Sequence, residues 1–278
     1  MILHPDEIIK KAQKCLKEGR NPASALSAIG MAYFEKGLLD KAIFYYQKAL
    51  ERDQAFAPAY AGLGIVYGKK GLVTESVYNL KEAIRLSPDC ALLYNWLGDA
   101  YFDLGRTEDA IREYGKATEL DSLDSNAHND LADAYRRKGD FAQALDYYQK
   151  TLEIDPSDTN AILEKAQVLL HLDRRDEARA LLLDMVARFP ESEDTKTAKV
   201  VLGALFTQEG DYISARDYLV QAAKDYPFNP TIQFHLGLCD LILDEPEAAK
   251  AHLQRTVDLD PANVRVVKLV QQLRKRSV

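Results

Sequence analysis

A spaced signature recurs seven times along this chain and constrains its fold more than any other feature. Small residues mark the copies, and the first five marks lie 34 residues apart: Gly30, Gly64, Gly98, Ala132, Ala166, Gly203 and Gly237. In the first four copies a tyrosine follows three residues after the mark and a glycine seven residues after it, as Tyr101 and Gly105 do. Self-similarity at a fixed period of this length predicts a stacked array of supersecondary units.

Each copy has the pattern of two helices joined by a short turn. Apolar residues at helical spacing run through residues 91–104 and again through residues 107–120. Gly105 lies between these stretches, where a helix end favours a left-handed residue without a side chain. Gly98 and Ala110 predict a close approach of the two helices, with tyrosines filling the space beside them. One hairpin cannot bury its own apolar faces, so neighbouring copies must complete the core.

These positions make the chain resemble the tetratricopeptide repeat (TPR) family over residues 23–263. The copy at residues 91–124 carries most of the pattern: Leu97, Gly98, Tyr101, Gly105, Ala110, Tyr114 and Ala117. The resemblance implies an all-α fold, a right-handed superhelical solenoid of about seven helix-turn-helix repeats with N- and C-terminal capping helices. The expected domains are a cap at 1–22, repeats 1–5 at 23–192, repeats 6–7 at 193–263 and a cap at 264–278.

The spacing changes between the fifth and sixth copies. Ala166 and Gly203 are 37 residues apart, so three residues are added in the segment 189–195. In one interpretation the next helix starts a turn early, with Ser192 or Thr195 near its N-cap. In the other, the segment is a hinge between a five-repeat part and a two-repeat part.

Composition argues against several classes of protein. The 278 residues carry a net charge of −7, which does not favour nucleic acid as a ligand. Apolar runs are too short to predict a membrane span, and Lys10 and Lys11 interrupt any signal peptide, so a cytoplasmic location is expected. Cys15, Cys90 and Cys239 are odd in number and unclustered, which favours reduced thiols over disulfides.

The sequence contains no convincing enzymatic motif. Residues 64–70 resemble a phosphate-binding loop, but the segment is one residue short, lacks the Ser or Thr and falls inside a predicted helix. The five histidines lie in different units without metal-ligand spacing, and His128 takes the place of a large core residue. Asp99 and Asp103 share a helical face and could mimic an acid/base pair, although solvated charges are commoner. No catalytic activity, metal or cofactor is therefore expected.

The TPR resemblance places function on a concave face. In that family the first helix of each repeat lines a groove through its second, fifth, ninth, twelfth and thirteenth residues. Transferred to this chain, those positions predict a ligand groove lined by Met31, Phe34, Ile65, Asn95, Asp99, Phe102, Asp103, Asn126, Asn129, Asp133, Arg136, Arg137, Leu163 and Leu170. The missing side chains of Ala61 and Gly68 should leave a recess beside Ile65.

The middle of this groove is polar. Asn95 and Asn129 are expected to face solvent, where their amides can hydrogen-bond the main chain of an extended peptide. Asp99, Asp103 and Asp133 favour a Lys or Arg on that peptide. The sequence thus predicts a site for partners with basic residues.

Two alternatives remain open within the groove. Asp133 can instead pair with Arg136 or Arg137 one turn along its helix, which would leave the groove nearly neutral. Trp96, the only tryptophan, either packs against the neighbouring repeat or acts as a binding hot spot. Apolar positions such as Leu163 can also be covered by the chain's own C-terminal helix.

The predicted function is a non-catalytic protein-protein interaction scaffold that binds a peptide or helix of a partner. A second hypothesis is self-assembly into a weak homo-oligomer, because repeats three and four carry a net charge of −8 and residues 264–278 carry +5. A third is an accessory subunit of an enzyme complex. The cationic clamp with which TPR co-chaperones hold acidic C-termini of heat-shock proteins has no counterpart here.

Overall fold

A computed structural model describes residues 4–263, 266–268 and 270. The chain separates into two compact units, Met1–Asp155 and Pro156–Val278, called here the N-terminal unit and the C-terminal unit. The described residues form helices and turns without any strand, so the predicted all-α fold is confirmed for this part of the chain.

Nine helices make up the described part of the N-terminal unit: α1 (Pro5–Lys17), α2 (Pro22–Glu35), α3 (Leu39–Arg52), α4 (Ala57–Lys69), α5 (Val73–Leu86), α6 (Ala91–Asp103), α7 (Thr107–Leu120), α8 (Ser125–Lys138) and α9 (Phe141–Ile154). From α2 onward they pack as four hairpins, each of which contacts the next, and these are repeats one to four. The predicted N-terminal cap is α1, whose Ala12 packs against Ala25 and Ile29 of α2.

The C-terminal unit contains repeats five to seven, which are built from six helices within residues 156–263: α10 (Thr159–His171), α11 (Arg175–Arg188), α12 (Glu193–Glu209), α13 (Tyr212–Asp225), α14 (Pro230–Ile242) and α15 (Pro246–Leu259). Beyond α15, residues 266–268 and 270 are helical, and Val266 and Val270 pack against Leu253. The rest of the predicted cap at 264–278, including the basic Arg274, lies outside the described residues.

The turn inside each hairpin has the predicted geometry. Gly105 has a φ of 71°, in the left-handed region where a residue with a side chain is strained. The fifth and seventh repeats place Asp173 (φ 57°) and Asp244 (φ 61°) at the same position. Aspartate enters this region more readily than most residues, so the turn survives without glycine.

The three added residues between repeats five and six lengthen a helix. The first helix of repeat six, α12, begins at Glu193 with Ser192 at its N-cap and has 17 residues, whereas the other repeat helices have 13 or 14. The Thr195 hydroxyl donates a hydrogen bond to the Phe189 carbonyl (2.7 Å), which secures this entry. The early start of the helix is confirmed, while a hinge and a domain boundary after Ser192 stay predictions.

Small residues bring the two helices of a hairpin together as predicted. A Cβ atom added at Gly98 of α6 would lie 2.5 Å from Cδ1 of Tyr114 on α7. Tyr114 is only 3% exposed, so the ring occupies the space that the glycine leaves. Gly115, the next residue on α7, has no neighbouring atom within 4 Å of such a Cβ.

The two glycines should therefore respond in opposite directions to the same change. We expect Gly98→Ala to lower the free energy of unfolding by about 1–2 kcal/mol, because the Tyr114 ring must move. Gly115→Ala should raise it by about 0.5–1 kcal/mol, because alanine restricts the unfolded chain and meets no neighbour in the fold. Urea titrations followed by circular dichroism measure both values. A gain in stability for both variants would contradict the close approach at Gly98.

Candidate functional site

Two adjoining recesses open on the N-terminal unit. The first has a volume of about 580 Å³ and lies among α2, α4 and α6. Its apolar lining includes Met31, Phe34, Ala61, Gly62, Ile65 and Trp96. Met31 is 45% exposed there. Three positions that the sequence assigned to the groove thus meet around one open apolar recess.

The second recess is smaller, about 280 Å³, and more polar. Its lining includes Gly68, Lys69, Asp99 and Asp103 together with Ile65 and Trp96. Because Ile65 and Trp96 line both recesses, the two form one continuous surface, called here the binding groove. Gly68, which has no side chain, lines the second recess, and Ala61, whose side chain is a single methyl group, lines the first.

Trp96 combines the two roles that the sequence left as alternatives. The half-buried ring packs in a cluster with Ala61 and Leu93, so it touches the preceding repeat. The same side chain lines both recesses. An indole held in this way is rigid before any ligand arrives, which lowers the entropy cost of binding.

Asn95 does not lie on an open floor of the groove. The residue is 8% exposed, and its side-chain Nδ2 donates a hydrogen bond to Oδ2 of Asp130 (2.9 Å). This bond joins α6 to α8, so the next repeat covers the amide that was expected to face solvent. The prediction that Asn95 faces solvent was therefore wrong, because it did not take into account that the following repeat buries this side chain. Asn129 is half-buried.

Phenol groups hold two of the groove carboxylates. The Tyr114 hydroxyl donates to Oδ1 of Asp99 (2.8 Å), and the Tyr148 hydroxyl donates to Oδ1 of Asp133. Both tyrosines are buried, at 3% and 0% exposure, and belong to the second helix of their own repeat. The two carboxylates are therefore positioned from beneath by the core of repeats three and four.

The surroundings of Asp99 raise the pKa of its carboxyl group. The side chain still contacts water, but the protein atoms of the groove wall displace enough solvent to raise the pKa of Asp99. The bond from Tyr114 opposes this rise, and the nearby negative charge of Asp103 adds to it. A bound cation would reverse the effect, because an opposite charge stabilises the carboxylate.

Asp130 is the most perturbed carboxyl group of this region and was missing from the predicted site. Its loss of solvent, reinforced by the charges of Asp99, Asp133 and Asp124, raises the pKa of Asp130 to about 7 although the bond from Asn95 opposes the rise. The side chain is thus divided between its neutral and charged forms near pH 7. The sequence offered one indication that Asp130 lies beside Asn95. The two residues are 35 positions apart, which is one repeat length plus one.

Two arginines near these acids are engaged within the protein. Arg136 lies 3.4 Å from Oδ1 of Asp133 and donates from Nε to the Tyr148 hydroxyl (3.2 Å), so the predicted pairing with Asp133 is present. Arg137 donates to the Phe102 carbonyl (2.7 Å) and stacks its guanidinium 4.4 Å from the Phe102 ring centre. Both guanidinium groups are thus engaged by partners other than the Asp99 and Asp103 carboxylates.

The remaining predicted groove residues, Asn126, Leu163 and Leu170, do not line either recess. Asn126 is exposed in the first turn of α8, and its backbone N–H donates to the capping Asp124 carboxylate (3.0 Å). Leu163 and Leu170 belong to the C-terminal unit. Leu163 is only 5% exposed, so its assignment as a groove residue needs correction: it offers almost no surface to a ligand.

A buried polar cluster in the C-terminal unit also escaped the sequence analysis. Asp240 replaces the tyrosine of the earlier repeats and is 0% exposed. Nε of Arg216 lies 2.9 Å from its Oδ1, and Nε2 of His252 lies 3.7 Å from its Oδ2. Burial raises the pKa of Asp240, an effect that the charge of Arg216 opposes, and burial lowers the pKa of His252. The cluster ties α13, α14 and α15 together.

Among the residues that the structure describes, no group of three or more His, Cys, Asp or Glu side chains is arranged to hold a metal ion. The same part of the chain has no helix with the length and apolar character needed to cross a bilayer.

The stacked helical hairpins define a helical-repeat protein, and comparison with protein-family models identifies its class. One tetratricopeptide repeat model matches residues 62–127, 99–159 and 200–264. Two other tetratricopeptide repeat models match residues 135–200 and residues 23–56. The chain belongs to the tetratricopeptide repeat family.

Solved structures of the same architecture include three other proteins. MamA is 29% identical, with a TM-score of 0.53 over 55% of this chain and 90% of its own. PilF of Pseudomonas aeruginosa is 23% identical, with a TM-score of 0.65 over 76% and 95% of the two chains. YrrB, described as a TPR protein with an unusual peptide-binding site, is 24% identical, with a TM-score of 0.56 over 68% and 97%. No curated protein sequence matches the chain.

Proposed function

We propose that this protein is a non-catalytic interaction scaffold that holds a peptide or a helix of a partner protein in its binding groove. The observation that carries the proposal is the open apolar recess of about 580 Å³ around Met31, Ile65 and Trp96. Apolar surface of this kind, left open and bordered by polar groups, normally marks a contact site. Membership of the TPR family supports the same role, since its members generally act as scaffolds.

The construction of the groove suits recognition of a partner. The lining side chains come mainly from α2, α4 and α6, the first helices of three consecutive repeats. Helices that are packed in this way hold their side chains in place before binding, so little entropy is lost when a ligand is ordered. Carboxylates beside the apolar recess supply acceptors for the N–H groups of a bound chain.

The proposal predicts that polar substitution in the first recess removes binding. Peptides selected from a random dodecapeptide library on the intact protein serve as ligands, and the emission of Trp96 reports their binding. Met31→Gln combined with Ile65→Gln should weaken the selected peptides by about 10-fold or more, because the apolar side chain loses its pocket. Phe44→Gln is the matched control, since Phe44 is also exposed, at 52%, but lies on α3 outside both recesses.

Circular dichroism of each variant keeps the test independent of folding. Unchanged affinity in a folded Met31→Gln/Ile65→Gln protein would place the ligand elsewhere and reject the groove. If Phe44→Gln weakened peptide binding as much as Met31→Gln/Ile65→Gln does, the effect would not be specific to the groove, and the groove would again be rejected.

A further inference from the structure

We propose that the binding groove selects a segment in which a large apolar side chain stands close to a Lys or Arg. The apolar side chain enters the first recess against Trp96, and the cation lies between Asp99 and Asp103 in the second. The inference rests on the proposed function, since it names the class of peptide that the same groove takes.

The two recesses are continuous, so one ligand can occupy both. Ile65 and Trp96 form a shared wall with an apolar chamber on one side and carboxylates on the other. A ligand that fills only the first, apolar recess leaves the carboxylates of the second recess in contact with water. A ligand with two adjacent side chains, one apolar and one cationic, matches both recesses at once.

The charged residues of the second recess determine which side chain it can bind. Asp99 and Asp103 are exposed and lie one turn apart on α6, so their carboxylates can meet one cation. Lys69 is the one cation among the residues that line this recess, so the two carboxylates outnumber it. The acidic side of the groove therefore favours a cation rather than an anion.

Binding of the cation should be linked to a proton on Asp130. Its half-populated charge near pH 7 becomes fully populated when a positive group arrives nearby, since an opposite charge lowers the pKa of a carboxyl group. The titratable groups that interact with Asp130 are Asp99 on α6, Tyr114 on α7, Asp133 on α8 and Asp124 at the N-cap of α8. Arg136 and Tyr148 contact Asp133. At pH 7 binding should therefore release up to about half a proton per peptide, because Asp130 carries a proton about half of the time before the cation arrives.

The test uses nonapeptides with blocked ends and a Gly/Ser background that carry one Leu and one Arg separated by zero to three residues. We expect at least one spacing to bind, with Trp96 emission and calorimetry as readouts. Replacement of Arg by the neutral isostere citrulline, or of Leu by Ser, should weaken that peptide by about 10-fold. Asp103→Asn should reduce the preference for Arg over citrulline, whereas Asp146→Asn, a change at an exposed aspartate of α9, should leave it intact.

The pH dependence gives a second readout. Between pH 6 and pH 8 the dissociation constant of the Arg peptide should fall about 10-fold, because Asp130 no longer has to lose a proton on binding. The citrulline peptide should show no such change, and Asp130→Asn should flatten the profile of the Arg peptide.

The two proposals fail differently. If library peptides bind in a manner sensitive to Met31→Gln/Ile65→Gln but the Arg and citrulline peptides bind equally, the scaffold function stands and the apolar-basic motif is rejected. If no library peptide and no designed peptide binds the folded protein, both are rejected.

Discussion

Replacement of Tyr148 by Ala should lower the free energy of unfolding by about 3–5 kcal/mol, the largest single effect we expect in this protein. The tyrosine is 0% exposed between the helices of repeat four, so its removal leaves a cavity in the core of the N-terminal unit. Its hydroxyl also donates to Asp133 and accepts from Nε of Arg136 (3.2 Å). Deletion of the side chain therefore removes apolar contacts and leaves two polar groups without this partner.

Tyr148→Phe is the matched control for that experiment. It keeps the ring and removes only the hydroxyl, so the loss should be about 1–2 kcal/mol. Urea unfolding followed by Trp96 emission, which reports on the N-terminal unit, measures both variants. Equal losses for Ala and Phe would show that the hydroxyl rather than the buried ring dominates.

Replacement of Asp130 by Asn should instead stabilise the protein, and more strongly at high pH. The pKa of Asp130 is raised from its usual 3.8 to about 7, so the folded state retains a proton that the unfolded chain has lost between those values. Stability from this group is present in full below the unfolded pKa and falls as the pH rises toward 7, at about 1.4 kcal/mol per unit of pKa difference. Asparagine has no charge to desolvate and keeps an acceptor for Asn95.

The difference between Asp130→Asn and the original protein isolates this effect, because other titrating groups are common to both. We expect the stabilisation measured at pH 8 to exceed that at pH 5 by about 2 kcal/mol. The same difference at both values would mean that Asp130 ionises as it does in water. Asp133→Asn serves as a comparison, since the Tyr148 and Arg136 contacts already satisfy that carboxylate.

Repeats three and four differ from repeats two and six in the side chain at one buried scaffold position. Below Gly64 and Gly203, the second helix presents Leu80 and Leu219, which are buried and purely apolar. Below Gly98 it presents Tyr114, whose hydroxyl reaches an aspartate in the groove. The same scaffold position thus serves the core alone in some repeats and both core and groove in others. This pattern places the polar side of the groove in the second half of the N-terminal unit.

Local features of the architecture could be predicted from the sequence. The recurring signature, spaced by 34 residues with one spacing of 37, located every hairpin. Gly105 marked a turn that needs a left-handed residue, and α1 begins and ends at the predicted Pro5 and Lys17. These features depend on interactions within one repeat or between adjacent copies of one pattern. A fixed period repeats those interactions, so one well-marked copy predicts the others.

The state of individual side chains was decided only by the tertiary structure. The helical period assigned Asn95 to the groove face, but the partner that buries it, Asp130, comes from the next repeat and one position off the expected register. Leu163 likewise has the predicted spacing and almost no exposed surface. A helical period determines the direction in which a side chain leaves its helix. Burial, hydrogen bonding and pKa depend on what lies opposite, and that is set by the packing of neighbouring helices.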